Sequence, residues 1–184
     1  MSNPLYFIFS TILSVACALF AMRFILQATR ADFYNPISQG ILKFTEPLLG
    51  PMRTLIPSYQ NLDFAAFIFT WVLKILTVAA LFYLGGMDLG SNMVLLFKIG
   101  LREVLELFLG IYLIALIILV ILSFLAPGNY HPVAVLAQQI TEPVLAPVRR
   151  VIPPMGGLDF SVLVILMLIM LLRDYLLPAI LPGI

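Results

Sequence analysis

The chain has 184 residues, of which 62% are hydrophobic and only 10% are charged. A soluble globular domain has roughly a quarter of its residues charged, so this composition excludes the ordinary soluble class and predicts a protein whose surface meets lipid. The net charge of +1 gives no electrostatic basis for direct nucleic-acid binding. The single cysteine, Cys17, excludes an internal disulfide and suits a small buried hydrophobic position.

Four apolar segments are long enough to cross a hydrocarbon layer of roughly 30 Å, which takes about 20 helical residues. They are residues 5–28, 64–84, 105–126 and 160–181. Lipid offers the backbone no hydrogen bonds, and the polar alternation of a barrel is missing, so the chain is predicted to be an all-α integral membrane protein with four spans. The first segment is longer than a signal-peptide core and no basic side chain precedes it, so we expect it to be retained.

The fourth segment is interrupted by two adjacent opposite charges, Arg173 and Asp174, and Pro178 follows them. We expect these charges to lie at the far membrane interface. The fourth span would then be short, and residues 175–184 would lie in the headgroup zone.

A short amphipathic helix is predicted between the first two spans. Ile37, Ile41 and Phe44 fall on one helical face, and polar residues occupy the remainder of the helix. Pro36 suits the first helical turn, where no N–H is required. The counterpart between the last two spans starts at Pro132 and has its apolar face at Val133, Leu136 and Ile140.

One motif is written twice, 96 residues apart. Residues 45–57 read TEPLLGPMRTLIP, and residues 141–153 read TEPVLAPVRRVIP. The alignment continues without a gap over residues 34–64 and 130–160, with 13 identities among 31 pairs. Shared apolar bias does not explain identical Glu, Arg, Asp and Pro positions. The chain is therefore predicted to be a tandem duplication, with a first repeat over 1–90 and a second over 91–184.

Each motif contains two internal prolines, Pro47 and Pro51 in the first copy and Pro143 and Pro147 in the second. Proline lacks an N–H and clashes with the carbonyl four residues earlier, so a continuous helix through the motif is not expected. The sequence predicts a bent, short, apolar element, which Pro57 ends in the first copy. Such an element is too short to span, and it either lies in the interface plane or dips into the bilayer as a re-entrant hairpin. In the second copy, Pro153 occupies the position of Pro57.

The third span is preceded by a helix with a charged stripe at residues 93–106. Lys98, Arg102 and Glu106 recur at four-residue spacing, with Glu103 beside them. Together with the span, this helix would be some 50 Å long at about 1.5 Å per residue, more than a bilayer requires. We therefore expect part of it to project from the membrane or to turn along its surface.

The basic residues predict the orientation in the membrane. Six of them lie in the motif loops and the neighbouring helix ends, against three on the opposite side. The six are Arg23, Arg30, Lys43, Arg53, Arg149 and Arg150. The distribution places the motif loops in the cytoplasm and both termini outside, with the two repeats related by an axis along the membrane normal.

The repeated charges are the first candidate functional residues. They are Glu46, Arg53 and Asp63 in the first copy, and Glu142, Arg149 and Asp159 in the second. We hypothesise that these charges pair across the two copies, Glu46 with Arg149 and Glu142 with Arg53, and so join the two loops. The alternative is that each charge separately anchors the chain to lipid headgroups.

The second candidate is Lys74, midway along the second span, whose counterpart in the other repeat is Met170. A lysine at this depth is costly unless it is paired, so it marks a functional position by default. Glu103 and Glu106 are its candidate partners. Two alternatives remain open: an ion pathway, and a lysine that extends toward the interface or toward a second chain.

No catalytic constellation appears in the sequence. It has no zinc-protease motif, no nucleophile elbow and no phosphate-binding loop, and its only histidine, His131, has no second histidine or cysteine beside it. We therefore expect neither an enzyme nor a metal site, and no cofactor.

The two motifs, each continuing into Leu-Asp-Phe, resemble the YggT family of bacterial membrane proteins and their YlmG-like plastid and cyanobacterial relatives. The resemblance covers nearly the whole chain, and the second copy, from Arg149 and Arg150, is the fuller match. The first copy departs from the pattern at Thr54 and at residues 58–61. The resemblance implies a bacterial inner-membrane protein connected with osmotic stress and potassium supply. In photosynthetic relatives it implies roles in membrane-complex maturation and nucleoid or division organisation.

The function favoured by these observations is a non-enzymatic scaffold or assembly factor, whose motif loops contact another protein. We expect it to be a homo-oligomer or to bind a partner membrane protein. The alternatives are a component of a cation channel or transporter, and a lipid-interacting protein. A cation pathway needs several polar groups along one axis, whereas Lys74 is a single candidate.

Overall fold

The computed structural model describes residues 4–84, 93–125, 131–153 and 159–181. Within these ranges the chain is helical, apart from short connections and one isolated bridge between Tyr59 and Leu62. The helices are α1 (Pro4–Ala28), α2 (Pro36–Leu55), α3 (Phe64–Leu84), α4 (Met93–Leu125), α5 (Pro132–Val151) and α6 (Phe160–Leu171). A π-helical turn, Leu172–Leu176, continues α6 into the short α7 (Leu177–Ile180).

Three helical segments in the described part of the chain are long and apolar enough to cross a membrane. They are Phe7–Ala28, Met93–Ser123 and Phe160–Ile180. Helix α3 contributes a shorter apolar stretch, Phe64–Ala80. These three segments agree with the predicted helical membrane protein, and a fourth crossing, by α3, stays a prediction.

The bent motif element predicted from the prolines is wrong, because α2 and α5 run through the motifs as continuous 20-residue helices. Pro47 and Pro51 lie four residues apart on the exposed side of α2, and Pro143 and Pro147 lie likewise on α5. The missing N–H groups therefore weaken only the outer side of each helix, where the freed carbonyls face outward, while the inner side packs against the bundle.

The starts of both helices follow the prediction. Pro36 and Pro132 occupy the first turn, where a backbone N–H would have no acceptor within the helix, so its absence costs nothing. Asn35 caps α2 by accepting a hydrogen bond from the Ile37 N–H, and His131 caps α5 by accepting one from the Val133 N–H.

The amphipathic faces are rotated slightly from the predicted ones. On α2, Ile41 is buried as expected, but Ile37 is only half-buried and Phe44 is exposed. The buried stripe consists of Ser38, Ile41, Thr45 and Leu49. On α5 it consists of Leu136, Ala137, Ile140, Thr141 and Leu145. The buried Thr45 and Thr141 hydroxyls remain satisfied because each donates to a carbonyl four residues earlier in its own helix.

The core forms where α2 and α5 meet the long helices; because the outer sides of α2 and α5 are exposed, we call them the surface helices. One cluster joins α1, α2 and α3 through Phe20, Leu49 and Ala66. A second joins α4, α5 and α6, and includes Leu116, Leu145 and Val162. Each of these three residues lies 96 positions after its equivalent in the first cluster. A third cluster, built from α1, α2, α4 and α5, connects the two groups.

Helix α4 is the long element that the sequence predicts, with 33 residues in one piece. Its first half packs against α3, where a Cβ added to Gly100 would overlap the Ile75 side chain. Phe108 stacks on Phe67 of α3 with ring centroids 5.9 Å apart, and contacts Phe24 of α1 at 5.3 Å. The second half of α4 packs against α5 and α6.

The last helix continues past the paired charges, whose place at the membrane interface stays a prediction. It passes Arg173 and Asp174 in a π-helical turn and continues to Ile180. Pro178 gives the physical reason, since its ring would clash with the Asp174 carbonyl in a regular helix, and a wider turn relieves that clash.

Candidate functional site: two Glu–Arg–Asp brackets

The repeated charges form two compact sets, each within one motif and the start of the next helix, which we call brackets. In the first bracket, Arg53 Nη1 donates to Glu46 Oε1 at 2.9 Å and to Oε2 at 3.0 Å, while Nη2 donates to Asp63 Oδ2 at 2.5 Å. Glu46 and Arg53 are seven residues apart, which places them on the same face because α2 continues as a helix for two turns.

Asp63 has two roles. Its side chain is 0% exposed, and Oδ1 accepts a hydrogen bond from the Ala66 N–H in the first turn of α3. The carboxylate thus caps the N-terminus of α3 and binds the arginine at the end of α2. The first bracket therefore fixes the surface helix to the beginning of the next apolar helix.

The second bracket repeats this arrangement. Arg149 Nη1 donates to Glu142 Oε2 at 2.7 Å, and its Nε donates to Asp159 Oδ2 at 2.8 Å. Asp159 caps α6 by accepting from the Ser161 N–H at 3.0 Å. The Ser161 hydroxyl donates in turn to the Ile152 carbonyl at 3.0 Å, which adds a further connection between α5 and α6.

The hypothesis of pairing across the copies is wrong, because Arg53 binds Glu46 and Arg149 binds Glu142. The two copies meet instead near the N-terminal ends of their surface helices. Gln139 Oε1 accepts from the Asp32 N–H at 2.9 Å, and Asn35 Nδ2 donates to the Pro132 carbonyl at 2.8 Å. Neutral hydrogen bonds thus replace the predicted ion pairs between the halves.

The brackets keep their arginines charged. Burial lowers the pKa of Arg53, but its hydrogen bonds and charge pairing with Asp63 and Glu46 outweigh burial and leave the pKa above its usual value. The pKa of Arg149 is raised in the same way by Asp159 and Glu142 against the effect of burial. The stabilisation from a raised pKa is complete at every pH below the unfolded-state value, and is lost only above it. Both arginines therefore stay protonated throughout the physiological range.

Arg23 is a member of the first bracket that the sequence analysis missed. We expected it only as one of the basic residues at a helix end. It is 5% exposed, its Nη2 donates to Glu46 Oε2 at 3.3 Å, and its guanidinium lies 5.5 Å from the centre of the Phe33 ring. The corresponding residue in the second half is Leu119, so the repeat comparison contains no signal for it.

The remaining motif residues lie outside the ion pairs. Helix α2 ends at Leu55, two residues before Pro57, and α5 ends at Val151, two residues before Pro153. Arg150 is exposed, as are Pro57 and Pro153. Pro57 and Pro153 thus follow the ends of the two helices, Arg150 lies on the outer side of α5, and the Glu, Arg and Asp residues connect each helix to the rest of the chain.

Lys74 is paired with one of its two predicted partners. Lys74 Nζ lies 3.1 Å from Glu103 Oε2, with 13% of the lysine side chain exposed. Glu106 accepts instead from Arg102 Nε at 2.7 Å, within α4. The Lys74–Glu103 pair joins α3 to α4 near the close packing of Gly100 on Ile75.

In the described ranges, no group of three or more His, Cys, Asp or Glu side chains is arranged to hold a metal ion. Cys17 is buried and free, and the His131 imidazole serves as the helix cap described above.

The comparisons with known proteins agree on one family. The sequence model of the CCB3/YggT family matches residues 2–84 and 98–180. An uncharacterized protein of Pseudomonas aeruginosa is 39% identical over 161 residues, covering 88% of this chain and 82% of the relative. An uncharacterized protein of Vibrio alginolyticus, named for its position in the proC 3′ region, is 39% identical over 166 residues. The match covers 89% of this chain and 88% of the relative. The uncharacterized protein YggT of Escherichia coli is 30% identical over 171 residues, and the match covers 91% of this chain and 86% of the relative. No solved structure matches the chain.

Proposed function

Because the chain belongs to the CCB3/YggT family, we propose that it is a multi-pass protein of the bacterial inner membrane that acts as a non-enzymatic scaffold for membrane assemblies. In this proposal α1, α3, α4 and α6 cross the bilayer, and α2 and α5 lie along its cytoplasmic face. The chain is then a tandem duplication with repeats over 1–90 and 91–184.

Several observations support the four-span duplication. The 21 residues of α3 suffice to cross a hydrocarbon layer of roughly 30 Å. The two surface helices have equal lengths, and the same residue types form both brackets. The first core cluster consists of Phe20, Leu49 and Ala66, and residues 96 positions later occupy the second.

One observation carries the scaffold proposal: each surface helix is anchored by the ion pairs of its bracket while its outer side stays open. The brackets fix the inner sides of α2 and α5, so their orientation does not depend on a ligand. The outer side of α2 presents Phe44, Leu48 and Leu55 together with two prolines. A preorganised helix with exposed apolar residues loses little conformational freedom when a partner binds.

The polar groups near the membrane interior support this proposal over a cation pathway. Lys74 is paired with Glu103, and the Thr70 and Thr77 hydroxyls donate to carbonyls of their own helix. A pathway needs polar groups that remain available to the ion, whereas these groups are satisfied within the protein.

The partner-binding side of the proposal is tested by affinity purification after cross-linking in native membranes. Leu48→Glu changes the exposed outer side of α2, and Tyr34→Glu changes an exposed residue just before it. We expect a specific membrane protein to co-purify with the wild type and with Tyr34→Glu. Its recovery with Leu48→Glu should be at least tenfold lower. Equal recovery from all three chains would contradict the proposed docking side.

Ion transport is tested separately by potassium flux into liposomes that contain the purified chain. The scaffold proposal predicts flux no higher than in empty liposomes. A flux above that background which disappears with Lys74→Met would replace the scaffold with the cation-pathway function.

A further inference from the structure

We propose that helix α6 of one copy packs against helix α1 of a second copy and repeats, between molecules, the interface that α3 and α4 form inside the chain. This inference rests on the tandem duplication within the proposed function and names the partner: another copy of the same chain. The partner is identified by an interface that the fold already contains once.

The internal interface defines a register. Phe67 packs on Phe108 with a centroid separation of 5.9 Å, and Lys74 pairs with Glu103 at 3.1 Å. A Cβ added to Gly100 would overlap Ile75, which fixes a third level. Helices α3 and α4 thus run antiparallel, with contacts at three successive levels.

The repeat transfers this register to two faces that are both open. Adding 96 to the α3 residues gives Leu163, Met170 and Leu171 on α6, and subtracting 96 from the α4 residues gives Pro4, Phe7 and Ile12 on α1. Five of these six side chains are large and hydrophobic, and they are between 48% and 68% exposed. Their equivalents Phe67, Lys74, Ile75 and Gly100 are buried or half-buried in the internal interface.

The two open faces also match chemically. Where the internal interface has the Lys74–Glu103 ion pair, the corresponding pair of faces has Met170 and Phe7. A methionine and an aromatic ring make a favourable contact in an apolar environment, and neither leaves a charge unpaired. If only one charged residue of the pair had been retained, the transferred interface would contain an uncompensated charge in lipid.

Within one chain, the two halves meet through contacts such as Phe24 of α1 with Phe108 of α4, and Asn35 with the Pro132 carbonyl. The transferred faces of α6 and α1 stay exposed, so the second α3–α4 type interface is left to a neighbouring molecule.

The contact is heterologous, because it joins two different faces. Each copy then offers one α6 face and one α1 face, and successive copies close into a ring if the rotation between them permits.

Disulfide cross-linking in intact membranes tests the inference with two co-expressed, differently tagged copies, both carrying Cys17→Ala. One copy carries Met170→Cys and the other carries Phe7→Cys, which face each other in the transferred register. The matched control replaces Phe7→Cys by Val15→Cys, which is also exposed on α1 but lies about 12 Å further along the helix. After oxidation we expect covalent dimers that contain both tags, at least tenfold more with Phe7→Cys than with Val15→Cys.

Three results would overturn the inference. The first is the absence of two-tag dimers, or equal yields from the two pairs. The second is dimer formation between two copies that both carry only Phe7→Cys, which indicates a two-fold contact of α1 with itself. The third is cross-linking of Met170→Cys to Phe7→Cys on the same chain without a covalent dimer, which places the contact inside one molecule.

Accessibility labelling of tags at the two termini distinguishes failure of the inter-copy interface from failure of the proposed four-span function. Four spans put both termini on one side of the membrane. Termini on opposite sides would contradict the four-span proposal, whereas termini on one side without two-tag dimers would contradict only the inter-copy interface.

Discussion

The two brackets contain equivalent Glu, Arg and Asp residues but differ in burial, and this difference predicts unequal responses to loss of Arg53 and of Arg149. The Asp63 side chain is 0% exposed and that of Asp159 is 25% exposed. Replacement of Arg53 by Met leaves a buried carboxylate that retains only its hydrogen bond from the Ala66 N–H. Breaking a buried pair by removing one partner costs about 3–5 kcal/mol, whereas an exposed pair contributes about 0–1 kcal/mol.

We therefore expect Arg53→Met to reduce the free energy of unfolding by about 3 kcal/mol and Arg149→Met by about 1 kcal/mol. In a chain of this size, 1 kcal/mol corresponds to a change in Tm of roughly 2–4 °C. The Tm of detergent-purified protein should thus fall by about 6–12 °C with Arg53→Met, and by about 2–4 °C with Arg149→Met. Thermal unfolding followed by circular dichroism measures both values.

A second substitution tests whether the unpaired Asp63 carboxylate causes the destabilisation in Arg53→Met. Asp63→Asn removes the unpaired charge but keeps an oxygen that can cap α3, so it should recover at least half of the loss in Arg53→Met. Equal losses in the two arginine variants, or no recovery with Asp63→Asn, would refute the view that the buried carboxylate dominates the energetics of the first bracket.

Three further predictions concern the spans and the surface helix. Lys74→Glu should destabilise the detergent-purified protein and Glu103→Lys in the same chain should restore its Tm; a double variant no more stable than the single one would contradict the pairing. Gly100→Ala should lower the free energy of unfolding by about 1 kcal/mol because its Cβ overlaps a neighbouring side chain, whereas Gly110→Ala, which meets open space, should not lower it. Pro51→Ala should leave Tm unchanged or raise it, because an alanine restores an N–H to an already continuous helix. If the circular dichroism spectrum instead shows helical content rising by a whole turn, α2 is broken at Pro51 in the wild type.

The sequence was sufficient to predict the helical membrane class, the extent of α4, and the pairing of Lys74 with Glu103 or Glu106, since these depend on local apolarity and on the cost of an unpaired charge in lipid. The path of the chain through the motifs was predicted incorrectly. Proline rules apply to an isolated helix, whereas here the buried side of α2 holds the helix while Pro47 and Pro51 weaken only its outer side. The error in pairing followed from this one, because Glu46 and Arg53 face each other only when the helix is continuous.

Arg23 could not be assigned from the sequence for a different reason. It lies near the end of an apolar span, where an arginine ordinarily extends toward headgroups. Its contact with Glu46 depends on how α2 folds back against α1, which is a tertiary arrangement and leaves no local pattern in the sequence.

The double role of Asp63 has a consequence for synthesis. Arg53 leaves the ribosome ten residues before the aspartate that binds it, and that aspartate is also the cap of the following helix. Until α3 begins to form, the surface helix is therefore held by α1 alone, through the contact of Arg23 with Glu46, and the first bracket lacks its aspartate. Nascent chains in which α3 has and has not emerged from the ribosome should differ accordingly, with stronger protease protection of the α2 segment where α3 has emerged.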